Sequence, residues 1–198
     1  MGRELGLCSD DADTNALVTR GDAAIILHVV LTQSFRIEEP PVPVTLVNAA
    51  GVNVNDFLLE LRKLPEQVLD AFNATGWAYC IDFDYMGGLS KKLNMSCIGA
   101  TNYSQKTIYI SEASATLHEF GHFLDWMLGF PAEHEQLYLA EAQNSGLRDY
   151  AKTNAREYFA DCFAYWVKYA GNTNAISLLQ ECTPMTYRYM EDLMRIAN

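Results

Sequence analysis

Two rhythms of hydrophobic and polar positions divide the chain. Residues 1–20 are polar and acidic and read as a loose leader without the charged-then-apolar layout of a signal peptide. The apolar run at 23–31, AAIILHVVL, is too short to cross a bilayer as a helix and predicts a strand buried on both faces. A proline-rich connection, EEPPVPV, follows and cannot join the middle of a sheet. From Asn55 the period becomes helical: Phe57, Leu58, Leu61 and Leu64 share one face. Pro65 opens a second helix with Val68, Leu69 and Phe72 inward, closed by Gly76. WAYCIDF (77–83) and KTIYIS (106–111) predict strands, while the stretch between them, YMGGLSKKLNMSCIGATN, predicts Gly-rich turns and an edge strand around 93–98. Beyond Ser111 the pattern is helical throughout, at about 113–128, 132–143, 153–170 and 184–196. The order is mixed α/β first and all-helical afterwards. It is read as one domain over 21–198, with a mixed lobe at 21–128 and a helical lobe at 129–198.

Charge and composition narrow the partners more than the fold. A formal net charge of −11, with no basic run longer than Lys91-Lys92, excludes a nucleic-acid backbone reader, which needs a basic stripe. No apolar segment is long enough for a membrane-spanning helix. The five cysteines lack a C-x-x-C spacing and are expected as buried free thiols, with a Cys80–Cys97 bridge as the alternative.

The chemistry concentrates in TLHEFGHFLDWM, 116–127. His118 and His122 stand one helical turn apart and can reach one ion, with Leu117, Phe120, Leu124 and Met127 as the apolar face. Glu119 lies about 100° around the axis from His118, which places it beside a metal site as a general base and not within it. Gly121 permits a close approach of another backbone or of substrate. A catalytic zinc site still needs a third protein ligand and an open position. YAKTNAREYFADCFAYW, 150–166, supplies candidates, because Glu157 and Asp161 share a helix face, with Tyr158, Phe159, Phe163 and Trp166 packing around them. Glu157 reads either as the third ligand or as half of an Asn154-x-x-Glu157 capping box. Asp161 reads as the acceptor that orients a ligating histidine.

This pair of motifs, HEFGH followed by YAKTNAREYFADCFAYW, resembles the catalytic domain of anthrax lethal factor and the bacterial Pro-Pro endopeptidases. The resemblance extends to LPEQVLDAFNATGWAY before the site and CTPMTYRYMEDL at the end. It implies an α+β, zincin-like metalloprotease fold: a small mixed sheet and N-terminal helices, then an all-helical C-terminal lobe. It implies His118, His122 and Glu157 as zinc ligands, one Zn2+ per chain, and Glu119 as general base. Tyr150 matches the family tyrosine whose hydroxyl steadies the oxyanion, a role that suits a phenol beside the metal. The resemblance also favours export. Two departures stand out: Arg156 replaces an acidic residue before the third ligand, and Asp161 replaces a glutamate. Pro-Pro specificity therefore does not carry over, and Arg156 can face either the groove or solvent. Trp77 reads as a substrate contact or as core.

The expected activity is zinc-dependent endopeptidase cleavage of a protein or peptide bound as an extended strand, by a monomer. The alternative is an inactive zincin-like binding module of a secreted toxin or surface protein, but a domain drifting from catalysis would be expected to have lost part of this set. A purely structural zinc clamp fits poorly, since such sites close with four protein ligands.

Overall fold

The computed structural model describes residues 43–196; the leader, the expected strand at 23–31 and most of the proline-rich connection lie outside the described residues. Four strands, β1 (Leu46–Asn48), β2 (Ala78–Ile81), β3 (Gly99–Asn102) and β4 (Thr107–Ile110), form one sheet in the order β1-β2-β4-β3. β2 pairs in parallel with both β1 and β4, and β3 runs antiparallel to β4 at the edge. Strands β2 and β4 fall where the apolar runs predict them. β1 emerges from the proline-rich stretch: Pro43 precedes it, and Leu46 pairs with Tyr79.

The segment read as Gly-rich turns is instead a helix. Helices α1 (Asn55–Leu61) and α2 (Glu66–Ala74) precede it, and α3 spans Phe83–Leu93, carrying Gly87 and Gly88 in its interior. The Asp82 side chain accepts from the Tyr85 N–H at its start, Lys91 and Lys92 occupy its last turn, and Asn94 closes it in a left-handed conformation. Three favourable end signals outweigh the roughly 1 kcal/mol that each interior glycine costs relative to alanine. The edge strand accordingly starts at Gly99, and not at Leu93.

Five further helices follow: α4 (Thr116–Met127), α5 (Ala132–Glu141), α6 (Ala155–Tyr169), α7 (Thr173–Cys182) and α8 (Pro184–Ile196). α7 was not expected; Asn172 caps it by accepting from the Ala175 N–H, and Leu179 anchors it. α4 is the centre of the fold. Every residue from Thr116 to Asp125 is buried, whereas Met127, expected on the apolar face, is exposed. Phe120 and Phe123 pack on Phe72 of α2 with ring centroids 4.7 and 5.0 Å apart, and Trp77 joins them 5.3 Å from Phe123. Such aromatic pairs add about 0.5–1.5 kcal/mol each beyond area burial. Trp77 is 1% exposed and belongs to this core. The Tyr79 and Thr116 hydroxyls meet at 2.6 Å and fix the start of α4 on the sheet.

α6 lies against α4 at a close approach. A Cβ added to Gly121 would stand 2.6 Å from Ala160 Cα and 2.8 Å from its carbonyl oxygen. The approach expected of Gly121 is thus filled by the backbone of α6. His134 meets Asp125 at 2.7 Å and the Tyr189 hydroxyl at 2.8 Å and stacks on Phe159 at 3.9 Å, tying α4, α5, α6 and α8 together. Cys80, Cys97, Cys162 and Cys182 are free; Cys80 and Cys162 are buried, the other two half-buried.

Candidate metal centre

His118 and His122 project from α4 toward the first turns of α6. Asn154 caps that helix, accepting from the N–H groups of Arg156 and Glu157 at 3.0 and 3.1 Å. The capping reading is therefore right for Asn154, while the Glu157 carboxylate turns away to meet the histidines. His118 Nε2, His122 Nε2 and Glu157 Oε2 form a triangle with edges of 3.1, 3.1 and 3.2 Å. Ligands about 2.0–2.1 Å from one tetrahedral ion stand about 3.3 Å apart, so the donor set fits a zinc ion. Among the described residues this is the cluster of three metal-binding side chains that can hold an ion.

The surroundings favour charge at this point. Asp161 Oδ1 lies 2.6 Å from His118 Nδ1, which turns Nε2 toward the triangle. Burial lowers the basicity of His118, but hydrogen bonds with Asp161 and Glu157 outweigh it and push the pKa up to about 9. Burial opposes the charge on Glu157, yet His118 and His122 hold its carboxyl well below the usual carboxylate range. Asp161 is also buried, and His118 and Arg148 hold it low.

Arg148 escaped the sequence reading. Its Nε and one terminal nitrogen grip Asp161 Oδ2 and Oδ1 at 2.6 and 2.7 Å, a two-pronged contact that fixes the carboxylate facing His118. The same guanidinium lies 5.2 Å from the ring centre of Tyr150. Tyr150 stands 6.1 Å from the His118 ring. Burial, then the adjacent Glu157 charge, pushes its phenol up to about 12, so it keeps its proton at neutral pH.

Glu119 points elsewhere, as its place on the helix requires. Its Oε2 accepts from the Thr101 hydroxyl on β3 at 2.7 Å. Gly99, on the same strand, leaves room for this carboxylate: a Cβ there would stand 2.6 Å from Glu119 Oε1. An isolated glycine in a strand signals such close approach, so Gly99 was findable in the sequence; Thr101 carried no signal. Gly99→Ala is expected to fold and keep its metal, because the clash falls on the Glu119 side chain and not on backbone. Displacement of Glu119 should still cut any turnover that uses it as a general base, by about tenfold or more. Metal content and turnover of the purified variant check this.

These side chains line a cleft of about 1230 Å³ bounded by β3, α4, α6 and the segment 147–150. Gly99, Ala100 and Thr101 form one wall, and Arg156 lines the cleft too while remaining exposed, so it stands at the cleft rim with access to both groove and solvent.

A family model described as anthrax toxin lethal factor, N- and C-terminal domain, matches residues 60–193. The solved structure of the Pro-Pro endopeptidase PPEP-2 from Paenibacillus alvei is similar, with a TM-score of 0.56 and 18% identity over 75% of this chain and 96% of that one. The likeness establishes a zincin-like α+β fold. No curated protein sequence matches the chain.

Proposed function

The chain belongs to the anthrax toxin lethal factor domain family, and from that premise we propose that it is a zinc-dependent endopeptidase. The observation that carries the reading is the triangle of His118, His122 and Glu157, open to the cleft, with a second glutamate held beside it by a separate anchor.

These three side chains would hold the zinc, which would supply Lewis acidity and lower the pKa of a bound water to about 7. Thr101 occupies Glu119 Oε2, so Oε1 is the oxygen left to take the water's proton and later give it to the leaving amine. Tyr150 donates its O–H to the carbonyl oxygen as negative charge develops there. Asp161, clamped by Arg148, holds the proton on His118 Nδ1 and keeps Nε2 available as a ligand. Among the described residues β3 pairs only with β4, so its outer edge can bind an extended substrate by strand addition. Among the described residues no helix is long and apolar enough to cross a membrane.

Removal of the third ligand tests the reading. Glu157→Ala should abolish stoichiometric zinc binding, and Asp161→Ala should weaken it by about 10–100-fold, the usual loss when a ligand's orienting partner goes. Competition with a chelator measures both. Should Glu157→Ala hold zinc as tightly as the parent and only melt earlier, its role is confined to the helix start.

A further inference from the structure

Three cationic side chains line the cleft: Arg148, Arg156 and Lys168. Two are accounted for. Arg148 grips Asp161, and Lys168 sits at the far end of α6 against the ring of Tyr169, 5.3 Å from its centre. Arg156 differs. Its backbone N–H serves the Asn154 cap, but its guanidinium donates to no described residue and has no described carboxylate within 4.0 Å. Its position is also electrostatically unfavourable, because the first turn of a helix repels a cation.

Arg156 is exposed, and its guanidinium rests on an aromatic shelf. Its guanidinium carbon lies 4.2 Å from the ring centre of Phe130. Tyr103 meets the same ring edge-on at 5.4 Å and itself lines the cleft. Phe130 adopts φ +53°, a left-handed backbone that bulky residues rarely take. The end of α4 imposes it: Gly129 N–H donates to Trp126 and Phe130 N–H to Asp125, which closes the helix and sets the ring beneath Arg156. A planar fork thus stands preorganised beside the metal ligands in a protein of net charge −11, with its donors unused by the described chain.

We infer that Arg156, seated on Phe130, forms a subsite for a substrate carboxylate, and that the cleft selects peptides with an acidic residue close to the scissile bond. The proposal rests on the peptidase reading and names the substrate class for that site. Two sources share the chemistry, an Asp or Glu side chain and a free peptide C-terminus, and the probes separate them.

Zinc-loaded Glu119→Gln protein would be titrated with peptides carrying Glu or Gln at one scanned position, each with its C-terminus amidated or free. The expected result is that Glu at one position of the amidated series binds about tenfold more tightly than Gln at low salt, the scale of one charge-assisted pair. Adding Arg156→Gln should erase the difference, and adding Arg156→Glu should reverse it, so that Gln binds more tightly than Glu, with zinc content unchanged in both. Tighter binding of free-acid than of amidated peptides, alike for Glu and Gln and lost in Arg156→Gln, would keep the carboxylate subsite and assign it to the chain terminus. Equal binding of Glu and Gln and of free-acid and amidated peptides at every position, or a preference that survives Arg156→Gln, overturns the proposal. Cleavage of the same peptides by the parent protein is scored separately. Selective binding without cleavage keeps the subsite and removes the peptidase reading; cleavage without acidic preference does the reverse.

Discussion

Glu119→Gln is expected to bind one zinc per chain and to lose turnover by about 10²–10⁴-fold, the range that general acid–base catalysis contributes. The two properties separate because the structure separates their residues. Glu119 is buried on the same helix as the histidines, but its carboxylate is anchored to Thr101 of β3 and takes no part in the His118–His122–Glu157 triangle. Glutamine keeps the shape and can still accept from Thr101, so the change removes only the capacity to take a proton. Metal analysis of purified protein and the kcat on a cleaved peptide give the two numbers. Loss of zinc in step with activity would assign Glu119 to the metal instead.

Gly121→Ala is expected to damage stability and metal affinity together. In an ordinary helix interior this exchange would stabilise by about 1 kcal/mol. Here the new methyl meets the backbone of α6, with Ala160 Cα at 2.6 Å, and no rotamer change can relieve it. Overpacking of this kind costs about 1–3 kcal/mol, and more when backbone must move. The two helices it forces apart carry the histidines and Glu157 on opposite sides, so the triangle widens as the helices separate. A fall of several degrees in Tm and a weaker hold on zinc against a chelator should appear in the same variant. A Tm equal to or above the parent's would mean that the helices part without cost.

The sequence announced the parts of the site that repeat a helical geometry. His118 and His122, and Glu157 and Asp161, are each one turn apart, and a spacing within one helix can be read without knowing the fold. The helices carrying them announced themselves too, through their apolar faces. Arg148 could not be read that way, since its contact with Asp161 joins a loop to a helix and depends on how that loop returns. β1 was hidden for a related reason: three residues gain strand character only by pairing with a distant β2. α3 was misread because Gly87 and Gly88 outweighed, on paper, the signals at its ends, Asp82 and the Lys91-Lys92 pair. In the folded chain those end signals prevail.

Arg148 and Tyr150 stand two residues apart on one short segment, where the chain turns from Leu147 into a 3-10 turn at Asp149–Lys152. Through Arg148 the segment holds Asp161 and thereby His118; through Tyr150 it meets the peptide in the proposed mechanism. Linkage then makes the two attachments reciprocal: a peptide that orders this segment tightens the ion by the same factor by which the ion tightens the peptide. On the proposed mechanism, substrate therefore protects the site against chelation while it is bound, and a protein starved of metal forfeits affinity for its peptide as well as its chemistry.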